Sequence, residues 1–279
     1  MALPLEILLH VFDILAEEDK ETLKQCALVC SEYSMHCQRL LFADINLLVD
    51  PENDIDRRLA EVLEDNQKLG TYVRSLCLAF QDENSSESPS VPRILARCTR
   101  VNAFTLRGHI YEATWRTIFP VATRKAIEAV FHSPLLNRLV IIGFEGIPLS
   151  ATFSPRHTPL AFLKIDPNQL GLPVLVTSDY HEDLPEIGSR GPPIFVHSLA
   201  VHPPKLLSHL AMSTRGDGAA VFDFSQLSDC EVTCLVDSSF TAHINGFLRR
   251  GAPLEKLKLV HGGVFLFLSS LSLLLLMPR

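Results

Sequence analysis

Almost every signature of a catalytic or nucleotide-handling protein is missing from this chain of 279 residues. No G-x-x-x-x-G-K-[ST] or G-x-G-x-x-G run offers backbone amides to a phosphate, and no H-E-x-x-H pair sits at metal-binding spacing. No G-x-S-x-G elbow presents a nucleophile. Cofactors and metals therefore have no support, and an enzyme is not expected. Cysteine is too sparse for a disulfide framework: there are seven, an odd number, scattered from Cys26 to Cys234. Several lie in apolar patterns, where cysteine acts as a small buried hydrophobe, which points to a reducing compartment. Cys26-x3-Cys30 reads as an i, i+4 pair facing a helical core rather than as half a zinc site. No basic stripe neutralises phosphates, so nucleic acid is not an expected partner. A secretory signal is also lacking, so the Asn84-Ser85-Ser86 sequon is expected to stay unused.

What is present describes an ordered globular protein, 47% hydrophobic and 20% charged. The formal net charge is −7. Residues 1–50 hold three basic and nine acidic side chains, so they carry −6 of it.

The best-patterned stretch is residues 3–47. Pro4 suits a first helical position. Leu5, Leu8, Phe12 and Leu15 make one apolar stripe, and Ile7, Val11 and Ile14 make a second. A surface helix of a monomer normally has one such face, so the second calls for a partner. Asp19 is placed to cap a second helix carrying Leu23, Cys26, Ala27 and Cys30, with Leu28 and Val29 elsewhere on its surface. Ser31 opens a third, bearing Tyr33, Met35, Cys37, Leu40 and Leu41.

Leu3-Pro4-x-Glu6-Ile7, Val11-Phe12-x-x-Leu15, Asp19, Leu23, Cys26-x-Leu28-Val29-Cys30 and Leu41-Phe42 follow one another without gaps. In this order they resemble an F-box. The family usually has Trp where this chain has Tyr33. The resemblance implies a three-helix unit that docks on a Skp-type adaptor and, through it, on a cullin-based ubiquitin ligase. The docking residues it implies are Leu3, Pro4, Ile7, Leu8, Val11, Phe12, Leu15, Leu23, Leu28, Val29 and Tyr33. A helical cap closing its own domain is the plainer alternative.

Beyond the head, strand-like and helix-like segments alternate, which favours βα units and a largely parallel sheet. Ile45, Leu47 and Val49 alternate as a strand; residues 55–69 read as one amphipathic helix closed by Gly70. The run at 81–92, QDENSSESPSVP, reads as a mobile loop. Helices are expected at 122–131, 205–212 and 238–250. A weak repeat of Pro-Leu followed by L-x-L recurs at Leu139-x-Ile141, Leu163-x-Ile165 and Leu257-x-Leu259, more loosely at Leu199-x-Val201, with room for another unit near 222–236. It resembles the leucine-rich repeats that often follow F-boxes, although the period drifts and no regular Asn or Cys follows the strand.

The expected organisation is α/β: a three-helix F-box at 1–48, an irregular leucine-rich-repeat-like α/β solenoid at 49–260, and a hydrophobic segment at 261–279. That last segment reads as a buried final repeat, a tail anchor or an irregular chain end. The expected role is a non-catalytic substrate-recognition subunit in cytoplasm or nucleus, with an unknown protein target. A non-ligase scaffold with an F-box-like head, tail-anchored or not, is the alternative. The platform shows no phosphate-binding cluster of arginines and no obvious aromatic groove, so no target site is expected from it.

Overall fold

The structure is a computed structural model describing residues 5–29, 31–50, 52–108, 115–144, 159–166, 193–202, 210, 220, 222–233, 254–261 and 264–269. Three helices form the head: α1 (Leu5–Glu18), α2 (Lys20–Val29) and α3 (Ser31–Ala43). Asp19 is the single residue between the first two. It caps α2, accepting from the backbone N–H of Thr22 at 3.0 Å and of Glu21 at 3.1 Å. Phe12, Leu23 and Cys37 are buried together at the centre of this bundle, with Leu8, Leu15, Tyr33 and Leu40 packed around them.

The platform follows without a linker, because α3 ends at Ala43 and β1 (Asp44–Val49) begins at the next residue. Next come α4 (Ile55–Asp65), α5 (Gln67–Gly70), β2 (Ser75–Phe80), α6 (Glu83–Ser86) and α7 (Ser90–Arg97). Then follow β3 (Ala103–Gly108), α8 (Trp115–Ile118), α9 (Val121–Phe131) and β4 (Arg138–Ile142). The remaining described elements are strands: β5 (Phe162–Asp166), β6 (Ile194–Phe195), β7 (Ser198–Val201), β8 (Phe222–Asp223), β9 (Asp229–Thr233), β10 (Lys256–His261) and β11 (Val264–Ser269). Nine strands make one sheet in the order β1-β2-β3-β4-β5-β7-β9-β10-β11, while β6 and β8 pair separately. All neighbours in the large sheet run parallel except β10 and β11. The expected α/β class with a parallel sheet is what the chain forms.

The register is the same from strand to strand. Ile45, Leu76, Phe104, Leu139, Leu163, Leu199, Cys230 and Leu257 lie in one row across eight strands. Two residues on, Leu47, Leu78, Leu106, Ile141, Ile165, Val201, Val232 and Leu259 form the next row. Successive strand side chains point to opposite faces, so both rows face the same way. Three residues before each first-row member from Leu76 onward sits another apolar residue: Val73, Val101, Leu136, Leu160, Val196, Leu227 and Leu254 are all buried. The unit anticipated near 222–236 is therefore Leu227, Cys230 and Val232. Helices α4, α7 and α9 lie against these rows, contributing Leu63, Ile94 and Ile127 to the same core.

Three local expectations need correction. The polar run at 81–92 is not a loop: it forms α6 and the start of α7. Its serines are buried and partnered: Ser86 Oγ donates to the Ile118 carbonyl at 2.6 Å, Ser88 Oγ bonds the buried carboxylate of Asp56, and Asp82 with Ser85 makes a capping box. The single helix expected at 55–69 breaks at Asn66, whose φ of −130° is not helical. Gly70 is the last residue of α5, and a Cβ there would strike the Arg97 carbonyl, so the residue also permits close packing on α7. The limits at 48 and 261 both fall within strands of the sheet, β1 and β10. The change from head core to platform core comes at 42–44, where Phe42 already packs on the platform. Within the hydrophobic C-terminal segment, 264–269 is the antiparallel edge strand β11. The helices expected at 205–212 and 238–250 fall outside the described residues, apart from Leu210.

An aromatic cluster closes the C-terminal ends of β2, β3 and β4. Phe119 lies 5.1 Å from Phe80, 5.2 Å from Trp115 and 5.4 Å from Phe144 between ring centroids. Its closure requires glycine at two places. Gly143 has φ +80° and its α-carbon faces the Gly108 carbonyl, while a Cβ on Gly108 would come within 2.7 Å of the Phe144 ring. Gly143→Ala should lower stability by about 2 kcal/mol or more, combining left-handed strain with the collision. Urea unfolding of the full chain measures this; an unchanged midpoint would contradict it.

Candidate docking face

The chemistry available to the head follows from how α1 divides its apolar residues. Phe12 is 5% exposed and turns inward, its ring 5.4 Å from Tyr33 in an edge-to-face contact. Leu8, Leu15 and Tyr33 pack beside it, half-buried. Ile7, Val11 and Ile14 recur at i, i+4 and i+7, which aligns them on one helical face. That face looks into solvent, with these residues 48%, 40% and 43% exposed. Leu28 and Val29 at the end of α2 are 80% and 72% exposed, and Met35 on α3 is 54% exposed.

The residues implied for docking thus separate. Ile7, Val11, Leu28 and Val29 are at the surface. Leu8, Leu15 and Tyr33 form the shoulder between surface and core. Phe12 and Leu23 are corrected to interior positions: they support the face from behind, because the bundle is too small to make a core without them. Leu3 and Pro4 lie outside the described residues. Leu5, Ile14 and Met35 were not assigned to docking, yet they are exposed apolar side chains of the same three helices. For Ile14 the signal was available, since it completes the stripe begun by Ile7 and Val11.

Scattered exposed apolar residues are ordinary in a monomer. Here Leu5, Ile7, Val11, Ile14, Leu28, Val29 and Met35 fall within 31 residues of sequence on three packed helices. Where such side chains form one contiguous patch, they make a candidate interaction surface. Two of the acidic groups near it are engaged within the head. Asp13 bonds His36 across α1 and α3, Oδ1 to Nε2 at 3.3 Å. Asp19 is held below its ordinary carboxylate value first by the Thr22 hydroxyl and then by the Thr22 backbone N–H.

Contacts tie the head to the platform. The Arg74 N–H donates to the Ala43 carbonyl at 2.8 Å, and Lys68 Nζ reaches Met35 Sδ at 3.4 Å. Among the described residues, no three His, Cys, Asp or Glu side chains come together as a metal site. Cys98 and Cys230 are buried, their thiols pushed up to about 12 by desolvation. No described helix is long and apolar enough to cross a membrane. Comparisons with protein-family models, with curated proteins and with solved structures find no match to this chain.

Two outcomes follow for the head. Phe12→Ala should cost about 3 kcal/mol of stability or more through the cavity it leaves, read as a lower midpoint in thermal unfolding followed by circular dichroism at the helical signal. Asp19→Ala should lower the melting temperature at neutral pH by removing the α2 cap. Because the Asp19 carboxyl lies below its ordinary 3.8, its contribution is complete above that pH and is lost as the pH falls through the folded-state value. The difference between variant and wild type should therefore narrow in acid; a difference constant with pH would refute the assignment.

Proposed function

We propose that this chain is a substrate-recognition subunit of a cullin-based ubiquitin ligase. The head docks on a Skp-type adaptor, and the parallel-sheet platform presents a target protein. The observation that carries the reading is the second apolar face of α1, Ile7, Val11 and Ile14, left uncovered by a bundle that has its own core in Phe12, Leu23 and Cys37. A cap serving only its own domain would turn that stripe inward. The ordered F-box-like motif agrees with it.

The platform reading rests on the triplet that recurs before and within each strand, such as Leu136, Leu139 and Ile141, or Leu160, Leu163 and Ile165. One buried triplet per unit, stacked in register, is the physics of a leucine-rich-repeat-like solenoid. Its spacing is irregular, from 24 residues between Leu139 and Leu163 to 36 between Leu163 and Leu199. The protein does no bond chemistry in this scheme. It raises the local concentration of target lysines near the ligase's charged conjugating enzyme, and the linker-free joint between α3 and β1 fixes the direction in which the target is held.

The test is binding of purified full-length protein to a Skp-type adaptor by calorimetry, comparing wild type with the double variant Val11→Glu, Ile14→Glu. Both positions are exposed, so the fold should survive, and affinity should fall by at least ~2 kcal/mol, about thirtyfold. Failure of the wild type to bind, or equal binding by the variant, would sink the proposal.

A further inference from the structure

The in-register strands leave a second sheet face, opposite the one covered by α4, α7 and α9. It displays the side chains between the core rows. On three adjacent strands those side chains include Arg107 (β3), Arg138 (β4) and Lys164 (β5). Pairing places Arg107 opposite Ile142, Lys164 opposite Val140, and Arg138 opposite Phe162. From strand spacing and rise, Arg138 and Lys164 have α-carbons about 8 Å apart, and Arg107 lies roughly 12 Å from Lys164. The three cations surround Val140 and Ile142, which are 7% and 8% exposed and form an apolar floor between the longer side chains. The Arg138 guanidinium is stacked 4.3 Å from the Phe162 ring centroid, so it is oriented before any ligand arrives.

Charge is distributed unevenly across this face. Toward β10 the acids are matched: Glu231 with Lys258 at 2.9 Å and Asp229 with Lys256 at 3.6 Å. Asp166 lies 3.8 Å from His202. On β2, β3 and β4 the same face carries no acid at all: its residues are Ser75, Cys77 and Ala79, then Ala103 and Thr105, then Val140 and Ile142, beside the two arginines. Among the described residues, Arg107, Arg138 and Lys164 have no carboxylate within ion-pair reach. Within a chain of net charge −7, this face over β3, β4 and β5 thus carries three cations against a single carboxylate, that of Asp166 opposite Ile142. Planar guanidinium groups suit carboxylates, which they bind through two parallel hydrogen bonds.

We propose that this face, over β3, β4 and β5, binds a short acidic segment of another protein, with carboxylates on Arg107, Arg138 and Lys164 and an apolar side chain on Val140 and Ile142. Its biological use rests on the platform being the target-presenting part of a ligase subunit, whereas the binding itself does not. An occupant of this kind satisfies both features at once: it neutralises the cations and covers the floor they enclose.

The test uses the full-length protein and a fluorescein-labelled peptide of about ten residues alternating Glu with Leu, followed by fluorescence anisotropy without any adaptor. Micromolar binding that weakens as salt rises is expected. Arg107→Glu with Arg138→Glu should weaken it at least about tenfold. Lys125→Glu, a single charge reversal on exposed α9 at the helical side, should leave it unchanged. Circular dichroism shows whether each variant is folded; should the double charge reversal unfold the chain, the milder Arg107→Gln with Lys164→Gln replaces it, with the same direction expected. A phosphoserine version of the peptide that binds as well or better still supports an anionic-peptide site. Equal binding of the Gln-for-Glu peptide, equal loss in Lys125→Glu, tighter binding of a single-stranded oligonucleotide, or no binding of the acidic peptide would overturn the proposal. Because no adaptor is present, such a failure is independent of whether the head docks.

Discussion

The constraint on which this structure depends is the fixed register of its parallel strands. Parallel neighbours need a crossover segment between them, and each crossover must return the chain to the same height if apolar rows are to coincide. Here every pairing from β1 to β10 in the large sheet aligns a first-row residue with a first-row residue. A slip of one residue at any strand would put a row such as Leu163 and Ile165 into solvent and Lys164 into the core. The buried residue three places upstream makes a slip costlier still, because it anchors each turn before its strand begins. The spacing between units can therefore vary widely while the sheet stays regular: the triplet sets the register, and the crossover only has to be long enough.

That constraint explains why some of the fold could be read in advance and some could not. The alternation of strands and helices, the head's three helices and the L-x-L strands all express local periodicity. Proline was the less reliable marker. In the unit before β4 the residue following Pro134 is Leu135, which is 51% exposed, while the buried anchor is Leu136. The triplet, not the Pro-Leu pair, is the repeating physical unit. The 81–92 run misled for a different reason. Its serines are polar by composition, but each is small enough to be buried once its hydroxyl finds a partner, as Ser86 does on the Ile118 carbonyl. Hydropathy registers the hydroxyl and is blind to the partner 32 residues away.

Sites divide along the same line. The outward stripe of α1 was legible because helical period brings Ile7, Val11 and Ile14 together within two turns. Its inner stripe looked equally available for docking, and only the packing of α2 and α3 decides that Phe12 belongs to the interior. The platform cations were illegible in principle. Arg107 and Arg138 are 31 residues apart, Arg138 and Lys164 a further 26, and nothing in the intervening sequence relates them. Stacked strands bring residues so far apart in sequence to within about 8–14 Å of one another. A basic cluster of this origin escapes any search along the chain.

Head and platform are thus held by the same chain in different ways. The head has a separate core and an uncovered apolar face, and the platform has a continuous core and an open polar one. What joins them is short: α3 passes into β1 with no intervening residue, and Arg74 at the start of the second unit bonds back to Ala43. A flexible linker would let a captured segment sample many positions and dilute its effective concentration. In the proposed role, a helix that becomes the first strand of the sheet removes that freedom, so the direction of the sheet would be set by how α1 is seated on the adaptor. Positioning of this kind needs no residue that reacts. It requires a bundle whose core survives when its outer face is occupied, and Phe12 between Tyr33 and Leu23 provides one.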